Sequence, residues 1–180
     1  MRILGIDPGL AIVGYGVVDK EGNAYKTIHY DAITTAAHTP IENRIKIIYD
    51  EVTLIIEKFK PDALSIEELF FNNNAKTAPA VGQARGVVLL SAVEHNIPIF
   101  EYTPLQVKQA LTGYGRASKM QIQQMMKSML ALKEIPKPDD VADALAVAIG
   151  TAHGVYKSKP KLNFSTFLKL IFSGVPFSSR

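Results

Sequence analysis

MRILGIDPGLAIVGYGVV, residues 1–18, reads as two strands: RILGID at 2–7, the turn Pro8-Gly9-Leu10, then an apolar run from Ala11. Asp7 stands where the strand pattern calls for another Val or Ile. A carboxylate there can accept hydrogen bonds from the adjoining turn, or it can serve chemistry. Working outward, residues 24–34 form a third strand after the KEGN turn, so the chain opens as an antiparallel meander. From Pro40 to Phe59 the residues Ile41, Ile45, Ile48, Val52, Ile55, Ile56 and Phe59 recur at helical spacing. Next come a short buried strand in DALSIEEL (62–69), a helix over 78–95, a strand in IPIFEY (97–102) and a helix from Pro104. Ser118 caps a further helix with Ile122, Met125, Met126, Met129 and Leu130 at core spacing. Helix 140–153 buries Val141, Leu145, Ala148 and Ile149. Strands first, then strand and helix in alternation, predict a three-layer α/β domain around a mixed sheet.

A chain of 180 residues suits one domain with a self-sufficient core. With no cysteine, thiolate catalysis, cysteine-ligated zinc and disulfide scaffolds are excluded. No basic leader with an apolar core precedes the first strand, and no apolar run approaches the roughly 18 residues of a membrane span. A soluble cytoplasmic protein is expected, with no membrane partner. The net charge of +3 is unevenly spread: residues 101–137 carry six Lys/Arg against two acids, and residues 154–180 carry five against none. A basic face of this kind holds a polyanion and can present its phosphate to clustered carboxylates; the plainer alternative is solvated surface.

Several acids compete for such a cluster. Glu67 and Glu68 end the strand LSIEE, and neighbours on a strand point to opposite faces, so the two cannot share a role. In PKPDDVADALAVA, Asp139 is the natural N-cap of the helix. Asp140 and Asp143 are three apart on one face, but Asp139 and Asp143, four apart, share a face as well. Spacing leaves that pair undecided. Acids on two strand ends and one late helix make a set of hard oxygen ligands suited to Mg²⁺ or Mn²⁺, with two ions roughly 3.5 to 4 Å apart. Such a site hydrolyses a phosphodiester without a protein nucleophile. His29, His38 and His95 have no partner at ligand spacing, and His153 closes the last helix, where its ring suits the helix dipole.

The segments GIDPG…GYGV, SIEELFFNNNAK, GQARGV, FEYTPLQVKQALTGYGRASKMQIQQM and DDVADALAVAI, in this order from residue 1 to about 155, resemble the RuvC-type Holliday-junction resolvases. That resemblance implies a ribonuclease-H-like three-layer α/β/α domain with a five-stranded mixed sheet over 1–155. It implies an endonuclease that resolves four-way DNA junctions by paired, symmetrical, metal-dependent nicks in strands of like polarity, in recombination and repair. It selects Asp7, Glu67, Asp140 and Asp143 as ligands of two Mg²⁺ ions, with Mn²⁺ as a substitute and no small-molecule cofactor. Lys119 is implied as a catalytic lysine beside the scissile phosphate, and Lys108 as its companion on DNA. Phe70 or Phe71 is the implied wedge that stacks on a base, with Asn74, Lys76, Arg85 and Arg116 as further DNA contacts, Arg85 having the dimer interface as an equal alternative. The family forms a homodimer through the helix AVGQARGVVLLSAV, where Gly82 and Gly86 allow close approach. Its partners are the four-way junction and a branch-migration complex of the RuvA and RuvB proteins.

Residues 156–180 match nothing characteristic of that family and are expected to pack on the domain as a basic and apolar extension. A docking segment and an interfacial membrane helix are the alternatives. Two other functions compete. A catalytically silent junction-binding module gains only repulsion from its acids. An ATPase of the sugar-kinase type shares the GIDPG turn but needs a second Gly-rich phosphate loop, which residues 100–150 lack.

Overall fold

The computed structural model describes residues 1–68 and 78–153. Strands β1 (Arg2–Asp7), β2 (Ile12–Glu21) and β3 (Ala24–Thr34) form the expected meander. Helix α1 (Ile41–Phe59) leads to β4 (Ala63–Glu67), then α2 (Ala78–Glu94), β5 (Ile99–Tyr102), α3 (Pro104–Thr112), α4 (Lys119–Met129) and α5 (Asp139–Ala152). The sheet order is β3-β2-β1-β4-β5. Pairing is antiparallel from β3 to β1 and parallel from β1 to β5. The sheet is therefore mixed, as the order of elements predicts, and five-stranded, as the family resemblance implies. Among the described residues no helix is long and apolar enough to cross a membrane.

Strand alternation sorts the core into two halves. Ile3 and Val18 face α3, α4 and α5, while Leu4, Ile6, Val13 and Val17 face α1 and α2. On the first side α5 lies directly on the sheet. A Cβ at Gly5 would sit 2.1 Å from the Ala144 carbonyl oxygen, and one at Gly14 would sit 2.1 Å from that of Asp140. The missing side chains let the helix backbone descend onto β1 and β2. From Val141 to Ala152 every residue of α5 is buried except Asp143. Asp143 is the one carboxylate within that otherwise buried, largely apolar stretch.

Three local expectations need correction. Asp139 is not the N-cap of α5: Pro138 holds that position, and Asp139 is the first helical residue, without a side-chain cap bond. Its Oδ1 instead accepts a hydrogen bond from Lys137 Nζ at 2.9 Å. Met125 is 40 % exposed, although Met126 beside it is fully buried. Successive helical residues diverge by about 100°, and α4 meets the core along a narrow stripe through Ile122 and Met126. Ile41 is exposed for a simpler reason, since it opens α1 before the helix reaches the sheet.

Candidate active site

Parallel pairing places the ends of β1 and β4 side by side, with Ile6 opposite Ile66. Gly5 and Ser65 are also partners, and both look toward α5: a Cβ on Gly5 would meet Ala144, while Ser65 Oγ donates to the Val147 carbonyl at 3.1 Å. Two residues further along each strand, Asp7 and Glu67 share that face. Glu68 points to the opposite one. Asp7 is also the partner of Gly14, the residue on which the first turn of α5 rests. The same close approach therefore brings Asp140 and Asp143 to the strand ends.

The acids feel one another. Burial, followed by the charges of Glu67, Asp143 and Asp140, pushes Asp7 up to about 7. Glu67 also rises to about 7, through burial first and then the charge of Asp143. Burial raises Asp143 too, against the lowering effect of its hydrogen bond from Lys119. No shift of this size follows from a turn aspartate in water; it marks carboxylates withdrawn from solvent first of all, and near enough to raise one another further.

Lys119 is the cation of this group. Its Nζ lies 3.0 Å from Asp143 Oδ2 and 3.4 Å from Asp139 Oδ2. Burial works against its charge, but the hydrogen bonds and charges of Asp143 and Asp139 prevail and raise its pKa. A capping box holds the residue in place: Ser118 Oγ accepts from the Gln121 amide, and Gln121 Oε1 accepts from the Ser118 amide. Lys119 is thus the first residue of α4, where the helix dipole disfavours a cation. The local rule is broken in favour of the acids opposite. Lys108 completes the groove, about 230 Å³ in volume, that Lys119, Glu67, Asp143, Val107 and Ile122 help to line.

Of the remaining expected contacts, Arg116 is exposed on the connection between α3 and α4. Phe70, Phe71, Asn74 and Lys76 lie outside the described residues. Arg85 does not face outward: it is only 15 % exposed and pairs with Glu101 of β5 at 3.1 Å. Its Nε also donates to the Glu67 carbonyl at 3.4 Å, tying α2 to the end of β4. Sequence reading missed this tie, because no spacing links residues 67, 85 and 101. His153 lies at the far end of α5, stacked on Tyr25 and away from the acids.

Residues 3–151 match the family model described as Crossover junction endodeoxyribonuclease RuvC. The chain belongs to the RuvC family. The crossover junction endodeoxyribonuclease RuvC of Alkaliphilus oremlandii is 62 % identical over 153 residues, covering 85 % of this chain and 93 % of that protein. Its counterpart from Ruminiclostridium cellulolyticum is 60 % identical over 155 residues, with the same coverage of 85 % and 93 %. Among solved structures, Thermus thermophilus RuvC in complex with Holliday junction substrate is 37 % identical with a TM-score of 0.78, covering 85 % of this chain and 94 % of that one. The yeast mitochondrial Holliday junction resolvase Ydc2, 14 % identical with a TM-score of 0.62 over 84 % of this chain and 79 % of its own, shares the fold. The resemblance to RuvC-type resolvases and the α/β fold class both hold.

Asp7, Glu67, Asp140 and Asp143 would fit a hard divalent cation in kind, since every donor is a carboxylate oxygen and their mutual repulsion favours a cation among them. In arrangement, no three His, Asp or Glu side chains among the described residues converge into a ready metal site. Lys119 Nζ lies against Asp143 instead.

Proposed function

We propose that this RuvC-family endonuclease resolves four-way DNA junctions as a homodimer, nicking two strands of like polarity symmetrically, with Asp7, Glu67, Asp140 and Asp143 holding two Mg²⁺ ions or Mn²⁺ in their place. The observation that carries the site assignment is geometric: Asp7 and Glu67 end two adjoining parallel strands on one face, and Glu67 lines one groove with Asp143, Lys108 and Lys119. Divalent ions held by these four carboxylates would supply Lewis acidity toward the scissile phosphate. The P–O3′ bond breaks, leaving a 5′ phosphate and a 3′ hydroxyl. The residues themselves do the rest. Lys119 neutralises charge developing on the phosphate, and Lys108 holds the strand in the groove beside Glu67. Arg85, through the Glu67 carbonyl, keeps that strand end in position.

Two exposed features support the homodimer. Gly86 has open space where a Cβ would be, so its missing side chain serves no packing among the described residues. Leu90, one turn on, is 49 % exposed. Two copies meeting along Gly82, Gly86 and Leu90 bury that apolar stripe and give the two-fold symmetry that paired nicks require. Phe70 or Phe71 as the base-stacking wedge, Asn74, Lys76 and Arg116 as DNA contacts, action with the RuvA and RuvB proteins, and a cytoplasmic location belong to the same reading.

The test is incubation of the purified protein with a labelled synthetic four-way junction and Mg²⁺, beside Asp7→Asn and a linear duplex. Paired symmetrical nicks that need both metal and Asp7 are expected. Junction binding without cleavage by the wild type in Mg²⁺ or Mn²⁺ would make the protein a binding module and the acids structural.

A further inference from the structure

Leu105, Tyr114 and Met120 are exposed apolar side chains, interleaved along the chain with Lys108, Arg116 and Lys119. All six lie on α3, on the start of α4 or on the connection between them. Helices α3 and α4 cover the face of the sheet opposite to α1 and α2. A two-fold contact along Gly82, Gly86 and Leu90 of α2 therefore does not cover these residues. Apolar side chains set among cations suit a ligand that has both flat apolar faces and phosphates, and a nucleic-acid strand has both.

Among the described Phe and Tyr residues only Tyr30 and Tyr114 are exposed, and Tyr114 is the more so, at 49 %. Other tyrosines use their side chains inside the fold: Tyr15 meets His29, Tyr25 stacks on His153, and Tyr49 donates to Glu94. Among the described residues the Tyr114 side chain makes no hydrogen bond or ring contact. The aromatic residues of the 156–180 extension, expected to pack on the domain, lie outside the described residues, as Phe70 and Phe71 do.

The backbone that carries Tyr114 is fixed. Gly113 ends α3 in the left-handed conformation, with φ of 76°, and its amide donates to the Gln109 carbonyl at 2.9 Å. Thr112 Oγ1 lies 2.8 Å from the Tyr114 carbonyl oxygen and 2.8 Å from that of Lys108, one turn back in α3. Gly115 then rests on Leu105, since a Cβ there would come within 2.3 Å of Leu105 Cδ1. Ala117 is buried in the core with Val107, Leu111 and Ile122. Both ends of this turn adjoin the groove, which Pro104 and Lys108 line from α3, and Lys119 and Ile122 from α4. A tyrosine has two side-chain torsions to fix, and a backbone already ordered loses little further entropy when a ligand arrives.

We propose that Tyr114 stacks on a nucleobase of the DNA strand held between Lys108 and Lys119, as an aromatic contact additional to Phe70 or Phe71. The inference rests on the proposed cleavage of four-way junctions. Tyr114 takes no part in the chemistry; a base held against its ring fixes where the neighbouring phosphate falls relative to Lys119. Every base has a π face, so the contact adds affinity without choosing a sequence, and the phenol hydroxyl is not needed for it.

The assay is fluorescence anisotropy of a labelled synthetic four-way junction in EDTA, which withholds metal and so preserves the substrate, over a series of salt concentrations. Tyr114→Ala is expected to weaken binding about tenfold, while Tyr114→Phe stays within about twofold and Tyr114→Trp equals or exceeds the wild type. The slope of log K on log salt is expected to be unchanged in Tyr114→Ala, because no phosphate contact is lost, and to fall by about one in Lys108→Met. A lowered slope in Tyr114→Ala would mean that the turn had moved and taken its cations with it, and would make Tyr114 a structural residue. Junctions carrying one abasic site, placed in turn at the three nucleotides on either side of the nick mapped in Mg²⁺, locate the partner. At one position the penalty of Tyr114→Ala should disappear. A penalty that persists at every position would mean a contact with sugar or phosphate and would overturn the stacking. If the wild type binds the junction no better than a linear duplex, the proposed function fails and this inference with it. If it prefers the junction and Tyr114→Ala binds equally well, only this inference fails.

Discussion

Replacing Asp7 by Asn is expected to stabilise the metal-free protein while abolishing cleavage. Asp7 rises from 3.8 to about 7, chiefly by burial and then by the charges of Glu67, Asp143 and Asp140. A carboxyl whose folded value lies above its unfolded one binds its proton more tightly when folded. Stability therefore falls as pH rises from about 4 to about 7 and stays low above that. A rise of about three pH units at about 1.36 kcal/mol each sets a ceiling of about 4 kcal/mol. Asp7 keeps some solvent exposure, and Glu67 and Lys119 adjust to its charge, so about half of that, ~2 kcal/mol, is the expected gain for Asp7→Asn at pH 8. At pH 5, where the folded wild type holds the proton, the gain shrinks to below about 1 kcal/mol. The assay is urea unfolding of both proteins at pH 5 and pH 8 with EDTA present. Adding Mg²⁺ at ten times its dissociation constant should return about 1.4 kcal/mol to the wild type and less to Asp7→Asn. If Asp7→Asn is no more stable than wild type at pH 8, Asp7 is a turn-bonding residue and the acids are not held together under strain.

Other perturbations probe the parts that hold the cluster. Lys119→Met removes the ammonium 3.0 Å from Asp143; junction cleavage should fall about 100-fold, and its half-maximal pH should move upward because Asp7 and Glu67 lose a charge that lowers them. An unchanged pH profile would separate Lys119 from the acids. Gly14→Ala drives a Cβ to 2.1 Å from the Asp140 carbonyl oxygen, so α5 must lift; a loss of about 2 kcal/mol or more in unfolding is expected, with cleavage falling alongside. Wild-type stability in Gly14→Ala would show that the helix does not rest there. Arg85→Met leaves Glu101, 20 % exposed, without its guanidinium partner, at a cost of about 1–2 kcal/mol. Adding Glu101→Gln should recover part of that loss, and strict additivity in the double-mutant cycle would refute the coupling.

The order of strands and helices was legible before any coordinates, because the apolar periods of 2 and 3.6 and the turn residues between them are local properties. β3 and α1 illustrate this, with bounds within a residue of those read from the sequence. Ser118 as the cap of α4 was legible for the same reason. Asp139 was not, since whether an aspartate caps a helix or enters it depends on what lies opposite, here Lys119 and Lys137. The exposure of Met125 likewise depends on how wide a stripe of α4 the core covers.

The sequence by itself determined which acids were available, that neighbours Glu67 and Glu68 had to diverge, and that the co-linear motifs belong with the RuvC resolvases. Only the tertiary structure decided that Asp7 and Glu67 share the α5 face, since this depends on the parallel register of β1 on β4, which no local pattern encodes. It alone brought Asp143 and Lys119 to those strand ends, through a helix lowered onto two glycines. Residue type and period are carried by the chain locally; distance between residues far apart in sequence arises only when the sheet pairs and the helices pack upon it.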